Sequence, residues 1–378
     1  MDNADIELTS VLLDSAQKRK VESVFADSEV RTFSTSGGDF RVTVKGDANK
    51  PIIVTLPEMG LGSSICFDTF FSLTEVQPFL KLFRVYHIEF PGQWEGAKDL
   101  PENFLYPTLD DLTRHFSSVL EMLAIKCFHG FGVGLGANIL VRFATLQPRA
   151  LLSLTLINGF VSQCGWLEWG RMKYHIWQLQ SGLMPESTMN EFLWQWLGDW
   201  TCEVNHDLQQ MFVEQLSSPG LLNRKNLAKM LISYRQRSDV STNAPVPLNK
   251  INCQTLLICG DFGSNLEEVT ELNSRLDPSR TQFVKMSDTG GMPLLESPAK
   301  VAEAFVLFFQ GMGYAPNLKA IRGASGISAA AAAAAAARSE QVEKKILEHA
   351  EDPEMYTSHN IRGRQALTEY HDEVEFSG

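Results

Sequence analysis

The stretch FHGFGVGLGANILVRFATLQ, residues 128–147, decides the fold class of this chain. It opens with a short apolar run, Phe128 to Phe131, of the kind that forms a buried strand. It closes with apolar residues at helical spacing: Ile139, Leu140, Phe143 and Ala144. Between the two stand Gly132, Gly134 and Gly136, which let the backbone turn sharply without steric clashes. The stretch therefore predicts a strand, a tight turn and a helix in direct succession.

The same alternation of short strands and helical patterns continues on both sides of this turn. Further buried strands are predicted at Ile52 to Leu56, Val85 to Ile88, Leu154 to Asn158, Thr255 to Cys259 and Phe283 to Met286. Strands that alternate with amphipathic helices are typical of βαβ units in a mostly parallel sheet. We therefore expect an α/β protein with a mostly parallel central sheet that is flanked by helices.

Changes in composition divide the chain into five parts. We expect an N-terminal extension (1–30), a first part of the core (31–160), a helical cap (161–250), a second part of the core (251–315), and a low-complexity, largely disordered tail (316–378). The cap is predicted because it lacks a convincing strand and contains six of the seven tryptophans. The tail is predicted because it combines a run of nine alanines with a charged segment that has little apolar surface.

The tryptophans of the cap fall within 35 residues, at positions 166, 169, 177, 194, 196 and 200. Aromatic residues at helical spacing usually pack in a core, and we expect most of these to do so. Six in so short a segment would also suit an exposed binding surface, because tryptophan often anchors protein interfaces. Both interpretations remain open at the level of the sequence.

The glycine turn matches the nucleophile elbow of α/β-hydrolases, G-x-S-x-G, except that Gly134 stands at the nucleophile position. The catalytic acid normally follows the strand before the last one, which here is the strand predicted at Thr255 to Cys259. After that strand the chain has Asp261, and then Gly263 at the catalytic position. The histidine normally follows the last strand, where Gly291 stands instead, and no histidine occurs between residues 207 and 348. With glycine at all three positions, we expect an α/β-hydrolase-like fold that is not an enzyme.

The turn still presents backbone amides at a helix N-terminus, which is an arrangement that suits an anion or a carbonyl group. We therefore consider a vestigial pocket, with the candidate lining residues Glu58, Met59, Gly60, Val133, Leu135 and Asp261. A small ligand or lipid is a candidate occupant of this pocket. The charge of Glu58 is expected to repel an anion there.

Two other interpretations compete with a non-enzymatic protein. A relocated nucleophile, Ser63, Ser64 or Cys66 with His87 as base, would make the chain a hydrolase of small esters or lipids. The glycines also satisfy G-x-G-x-x-A, a dinucleotide-binding pattern. Several strands precede this pattern, however, and no acidic residue follows between 138 and 167. We therefore expect no cofactor, and no clustered ligands indicate a metal site.

Composition limits the classes of partner and compartment. The formal net charge of −12 argues against binding to nucleic acid phosphates. No uncharged apolar run reaches the roughly 18 residues that span a membrane. The N-terminus is acidic, unlike a secretory signal, and the six cysteines are scattered as in reduced proteins. We expect a cytoplasmic protein without a transmembrane segment.

Several longer motifs carry a specific resemblance. They are FPGQWEGA (90–97), YPTLDDL (106–112), NSRLDP (273–278), MSDTGGMP (286–293) and FFQGMGY (308–314). Together with the glycine elbow, they resemble the N-myc downstream-regulated (NDR or NDRG) family over roughly residues 30–316. This resemblance implies a catalytically inactive α/β-hydrolase-like protein that binds other proteins in cytoplasmic signalling linked to growth, stress or differentiation.

The tail departs from that family in one respect. Related tails often carry Arg-x-Arg-x-x-Ser/Thr sites for kinases, whereas this tail has only Arg322 three residues before Ser325. Ser325 is therefore the one candidate phosphosite that we name.

Overall fold

A computed structural model of the protein describes residues 28–242 and 244–314. A single eight-stranded sheet runs through its centre in the order β1-β2-β4-β3-β5-β6-β7-β8. The strands are β1 (Glu29–Thr35), β2 (Gly38–Lys45), β3 (Ile52–Leu56), β4 (Arg84–Glu89), β5 (Phe128–Val133), β6 (Leu151–Ile157), β7 (Gln254–Gly260) and β8 (Thr281–Met286). All neighbouring strands from β4 to β8 pair in parallel, while β1 and β2 pair antiparallel at one edge. The predicted α/β fold with a mostly parallel sheet is confirmed.

Eleven α-helices connect and cover the strands in the described part of the chain. A π-helical turn (Ser64–Asp68) leads into α1 (Thr69–Ser72), followed by α2 (Gln77–Leu80), α3 (Leu109–Met122), α4 (Leu135–Leu146), α5 (Trp166–Gln180), α6 (Glu186–Val204), α7 (His206–Ser217), α8 (Arg224–Arg235), α9 (Leu266–Arg275), α10 (Pro293–Glu296) and α11 (Pro298–Gly311). The sequence determines where helix α3 begins, because Thr108 caps its first turn by accepting a hydrogen bond from the Asp111 amide at 3.1 Å.

The core beneath the sheet is built from phenylalanine rings. Phe131 of β5 meets Phe67, Phe70 and Phe305 with ring centroids 5.2 to 5.8 Å apart, and all four rings are fully buried. Edge-to-face contacts of this kind add to the free energy gained by burying the rings themselves. Strand β5, which leads to the glycine turn, therefore packs against a cluster of buried aromatic rings.

Helices α5 to α8 lie within residues 161–250, the range of the predicted cap, with α5 packed against α8 and α6 against α7. A kink at Gly198, where φ is +81°, bends α6. The buried Arg142 of α4 fastens the cap to the core, since it donates hydrogen bonds to Asp110 and to the Ser238 carbonyl. The helix after the glycine turn is therefore tied directly to the end of the cap.

The cap tryptophans divide between the two interpretations. Trp196 is buried and Trp194 and Trp200 are half-buried, whereas Trp166, Trp169 and Trp177 are exposed. The expectation that most of these residues belong to the core is wrong for the three that lie on α5. The reason is that the helical repeat of α5 turns Met172, His175, Ile176 and Leu179 inward instead.

The chain divides into one unit of residues 1–308 and another of 309–378. Of the second unit the structure describes residues 309–314, in which the rings of Phe309 and Tyr314 meet edge to face. No helix in the described ranges is both long and apolar enough to span a bilayer. The predicted tail, with Ser325, and most of the predicted N-terminal extension lie outside the described residues.

Candidate functional site

The glycine turn adopts the backbone geometry of a nucleophile elbow. Gly134 has φ +51° and ψ −108°, a conformation that side-chain-bearing residues rarely adopt. Its amide donates to the Ile157 carbonyl at 2.9 Å, and α4 begins at the next residue. A Cβ at Gly136 would collide with the Leu56 backbone, so the close approach of strand and helix requires glycine there. The elbow is intact as a fold element.

The carboxyl group of Glu58 occupies the place above the elbow. Its Oε1 accepts hydrogen bonds from the Met59 amide at 2.6 Å and the Leu135 amide at 3.1 Å. These are the amide after the nucleophile position and one from the loop after β3, which form the oxyanion hole in active hydrolases. The other oxygen, Oε2, lies where a side chain at Gly134 would begin, so the two would collide. Glu58 thus binds the two amides of the predicted oxyanion hole and occupies the space beside Gly134, the predicted nucleophile position.

Burial raises the pKa of Glu58 from its usual 4.5 to about 7, although the two amide hydrogen bonds act in the opposite direction. Protonated and ionised forms therefore coexist near neutral pH. In the protonated form, an uncharged carboxyl group with one oxygen held by two amides has the geometry of a bound acyl group. The repulsion of an anion by Glu58 stays a prediction; in the structure the carboxyl group of Glu58 itself accepts the two amide hydrogen bonds at this place.

The predicted histidine position, Gly291, lies against the backbone of α6. The Gly291 amide donates to the Leu197 carbonyl of α6 at 2.7 Å, and Asn158 donates to the Gly291 carbonyl. A Cβ at Gly291 would collide with the Trp196 carbonyl oxygen. Any side chain here would have to displace helix backbone.

The loop that contains the predicted acid position, Gly263, connects to the loop after β8. Asp261 Oδ1 accepts a hydrogen bond from the Thr289 amide at 3.2 Å, and Gly263 lies next to Gly290. Asp261 thus joins the loop after β7 to the loop after β8. It does not belong to the cluster around Glu58.

The glycine loop after β8 is also held by Glu296, which the sequence did not single out. Its carboxylate accepts hydrogen bonds from the amides of Gly290 at 2.7 Å and Met292 at 2.8 Å, and from Thr201 Oγ1 of α6 at 2.6 Å. Burial raises the pKa of Glu296, against these three donors. Glu296 thereby locks the loop to the cap.

The ring of Trp196 closes the space over the elbow. It is 2% exposed, and a Cβ at Gly60 would lie 3.1 Å from it. Of the predicted pocket residues, Glu58, Met59, Gly60, Val133 and Leu135 are all buried around the elbow. The structure therefore brings five of the six candidates together, under a cap that rests directly on them.

The candidates for a relocated nucleophile lie beside a different cavity. Ser63, Ser64 and His87 line a cavity of about 410 Å³ between the β1–β2–β4 edge of the sheet and the π-helical turn. Burial lowers the pKa of His87 to about 3 and raises that of the buried Cys66 thiol. The hydroxyl of Ser63 has no hydrogen-bond partner among the described residues, so it is not paired with His87.

Residues 28–242 and 244–314 contain no group of three His, Cys, Asp or Glu side chains placed to hold a metal ion. The sequence offered no signal for Glu296 or Asn158, because their roles depend on contacts between loops that are far apart in the chain. The role of Glu58 could have been suspected, since it stands beside the predicted oxyanion loop.

Solved structures similar to this one are hydrolases. An esterase from Thermogutta terrifontis superposes with a TM-score of 0.62 at 14% identity, covering 75% of this chain and 98% of its own. The enol-lactonase from Burkholderia xenovorans gives a TM-score of 0.60 at 16% identity, covering 74% of this chain and all of its own. At such low identity the likeness concerns the fold.

The comparison of sequences is more specific. The chain is 34% identical over 325 residues to Protein NDRG3 of Xenopus tropicalis, covering 83% of this chain and 81% of that protein. It is 36% identical over 314 residues to Protein NDRG2 of Danio rerio, covering 82% and 78%. The model of the Ndr family matches residues 30–316. The chain therefore belongs to the Ndr family, on an α/β-hydrolase-like fold.

Proposed function

We propose that this protein acts by binding other proteins through the outer face of its cap, and that it does not catalyse hydrolysis. The observation that carries the proposal is the exposed aromatic face of α5, in a cap whose helix α6 covers the elbow region. The two halves of the proposal rest on different residues and can be tested separately.

The filled centre supports the absence of hydrolysis. Glu58 occupies the oxyanion hole, and backbone atoms of α6 occupy the place of the histidine. A substrate carbonyl would have to displace a buried side chain and then find neither nucleophile nor base. The retained turn geometry then serves to fix the cap on the core.

The face of α5 supports a binding role. Trp166, Leu167, Trp169, Tyr174 and Trp177 are exposed by 81%, 67%, 44%, 47% and 61%. They lie on one side of the helix, opposite the residues that pack inward. A contiguous exposed patch of large apolar side chains is unusual on a monomeric surface and marks a site of interaction.

Charges beside this face indicate the chemistry of the partner. Arg235 lies over the ring of Trp169 at 4.6 Å, Lys173 over the same ring at 5.8 Å, and Arg171 over the ring of Trp194 at 4.9 Å. Arg171 is ion-paired with Glu191 at 3.0 Å, so the positive charge beside this face comes from Arg235 and Lys173, on a chain with a formal net charge of −12. We infer that the partner presents apolar side chains together with carboxylates.

Point substitutions test the binding surface better than deletion of the cap, because α6 also seals the core. We expect Trp166→Ser with Trp177→Ser to abolish capture of specific partners by the full chain, while folding is unchanged. Leu105→Ser is the matched control, since Leu105 is 89% exposed and lies outside the cap. An unchanged partner set in the double variant, measured by quantitative mass spectrometry, would refute the surface.

A panel of small esters and lipids, with a covalent serine and cysteine probe, tests the absence of hydrolysis. We expect no turnover above background. Turnover that is lost in Ser64→Ala or Cys66→Ala would establish a relocated nucleophile instead.

We further propose a cytoplasmic signalling role, which is supported by the family and by the acidic composition of the chain. Imaging of the tagged full chain tests the compartment. Mass spectrometry of the native protein across stress conditions tests Ser325; a residue that is always unmodified would exclude its proposed phosphorylation.

A further inference from the structure

The outer face of α5 combines exposed aromatic rings with positive charge. Lys173 and Arg235 both lie over the ring of Trp169, and neither forms an ion pair with a residue in the ranges 28–242 and 244–314. The other basic residue beside this face, Arg171, is paired with Glu191. Exposed apolar surface next to uncompensated positive charge favours an occupant that carries large apolar side chains together with carboxylates.

One segment of this chain has that composition. Residues 2–14, DNADIELTSVLLD, contain four acidic residues, at positions 2, 5, 7 and 14, and no lysine or arginine. They also contain five large apolar residues, at positions 6, 8, 11, 12 and 13. We call residues 2–14 the acidic segment, and it lies outside the described residues. Its charge and its apolar content are both complementary to the outer face of α5.

The described chain begins beside the cap. Ser28, its first residue, lines the cavity at the β1–β2–β4 edge together with Gly220, which belongs to the connection between α7 and α8. Arg224, at the start of α8, donates hydrogen bonds to the Ser217 carbonyl at 2.7 Å and to the Gly182 carbonyl at 3.1 Å. Gly182 lies two positions beyond the end of α5. A short series of contacts therefore leads from the point where the acidic segment is tethered to the end of α5.

The length of the tether allows the segment to reach this face. Residues 15–27 separate the acidic segment from Ser28, and a stretch of that length spans up to about 45 Å when extended. Helix α5 has 15 residues and is about 22 Å long, at 1.5 Å per residue. Such a tether holds its segment at an effective concentration on the order of 1 mM. A contact of only millimolar affinity would therefore cover the face in about half of the molecules.

We propose that the acidic segment is an intramolecular ligand of the outer face of α5, which it covers until a partner protein displaces it. This inference rests on the proposed function, because it adds a regulator to the same binding surface. Carboxylates of the segment pair with Lys173 and Arg235, and its apolar side chains pack on the exposed tryptophans. Exposed ion pairs are weak, so the apolar contact supplies most of the affinity and the charges select the segment.

Cross-linking with a carbodiimide locates the segment in the full chain, because this reagent joins a lysine amine directly to a carboxylate that touches it. We expect peptide mass spectrometry to find Lys173 joined to a carboxylate of residues 2–14. Lys285 is the control, since it is exposed on β8, at the opposite edge of the sheet from β1. Equal joining of the segment to Lys173 and to Lys285, or no joining to Lys173, would overturn the proposal.

A mixture of isotope-labelled and unlabelled chains tests whether the contact is intramolecular. We expect each cross-linked pair of peptides to carry a single label. Pairs of mixed label would show that the segment binds a second copy of the chain, and would refute an intramolecular ligand.

Substitutions in the segment test its regulatory role. Ile6→Ser with Leu12→Ser removes two apolar side chains that lie outside the described fold. We expect the cross-link to Lys173 to be lost and the capture of partners by the full chain to rise at least about twofold, because the face is then free in all molecules. Thr9→Ala, in the same segment, should change neither quantity. A cross-link that persists in the double variant would contradict the apolar contact.

The result can be separated from a failure of the proposed function. If Trp166→Ser with Trp177→Ser leaves the capture of partners unchanged while Lys173 is still joined to the segment in the original chain, the proposed function fails and the contact stands. If capture depends on these two tryptophans but is unchanged by Ile6→Ser with Leu12→Ser, the inference fails and the proposed function stands.

Discussion

Trp196 and Trp177 belong to the same cap and lie 19 positions apart, yet their environments are opposite. Trp196 is 2% exposed and packs between Phe192 and Phe212 over the elbow. Trp177 is 61% exposed on the outer face of α5. The inner face of the cap therefore holds the scaffold together, whereas the outer face offers the same residue type to solvent.

The two faces of this segment therefore differ in how much they contribute to the stability of the fold. On the inner face, a Cβ added at Gly290 or Gly291 would collide with the backbone of α6, and the buried ring of Trp196 packs beside it. On the outer face, a Cβ added at Gly165 or Gly170 would meet no other atom within 4 Å. Changes on the inner face should destabilise the fold strongly, whereas changes on the outer face should have only small effects on its stability.

The largest expected effect is the loss of the inner tryptophan. Trp196→Ala should reduce the free energy of unfolding by about 3 to 5 kcal/mol, because it removes a large buried ring and leaves a cavity. Trp177→Ala should change it by less than about 0.5 kcal/mol, as for other exposed positions. Chemical denaturation of both variants measures the contrast, and equal losses would contradict it.

The second prediction concerns the carboxyl group beneath Trp196. Below pH 4.5, Glu58 is protonated in the folded and the unfolded chain, so its ionisation does not affect stability. As the pH rises to about 7, only the unfolded chain ionises, because the pKa of Glu58 is raised in the folded state, and the folded state loses stability. At about 1.4 kcal/mol per pKa unit, the loss is on the order of 3 kcal/mol.

Glu58→Gln removes this dependence, since an amide does not titrate. Denaturation series at pH 4.5 and above 7 should show the stability of the variant gaining on that of the original protein as the pH rises. A constant difference across this range would mean that the pKa of Glu58 is not raised.

The third prediction concerns the elbow. Gly134→Ser should cost about 1 to 3 kcal/mol, because the new side chain meets Glu58 in a packed site. In the Glu58→Ala background, the same substitution should cost at least about 1 kcal/mol less, since the two sites are in contact. A double-mutant cycle measures this coupling, and additive costs would show that Glu58 does not fill the nucleophile position.

The smallest effect is expected on the outer face of the cap. Gly170→Ala should leave the protein unchanged or stabilise it by up to about 1 kcal/mol, because alanine favours the helix and meets no neighbouring atom. A thermal melt measures it. A marked destabilisation would mean that this face is packed against something.

Much of the fold could be predicted from local patterns. The six strands read from apolar runs all lie in the sheet, because parallel strands buried on both faces leave continuous apolar stretches. The apolar runs do not single out the antiparallel strands β1 and β2, because β1 is mostly exposed and β2 alternates buried with half-buried residues, which leaves a weaker signal. The helical character of the cap was also predicted, but the direction in which its tryptophans point was not.

The sequence alone determined that Gly134, Gly263 and Gly291 bear no catalytic side chains, since residue identity needs no coordinates. It also determined the sharp turn, because glycine spacing directly limits backbone conformation. Only the tertiary structure decided what took the vacated places: the carboxyl group of Glu58, the backbone of α6 and the ring of Trp196. Glu58 and Trp196 lie 138 positions apart in the sequence, and such contacts depend on packing in three dimensions, which no local pattern encodes.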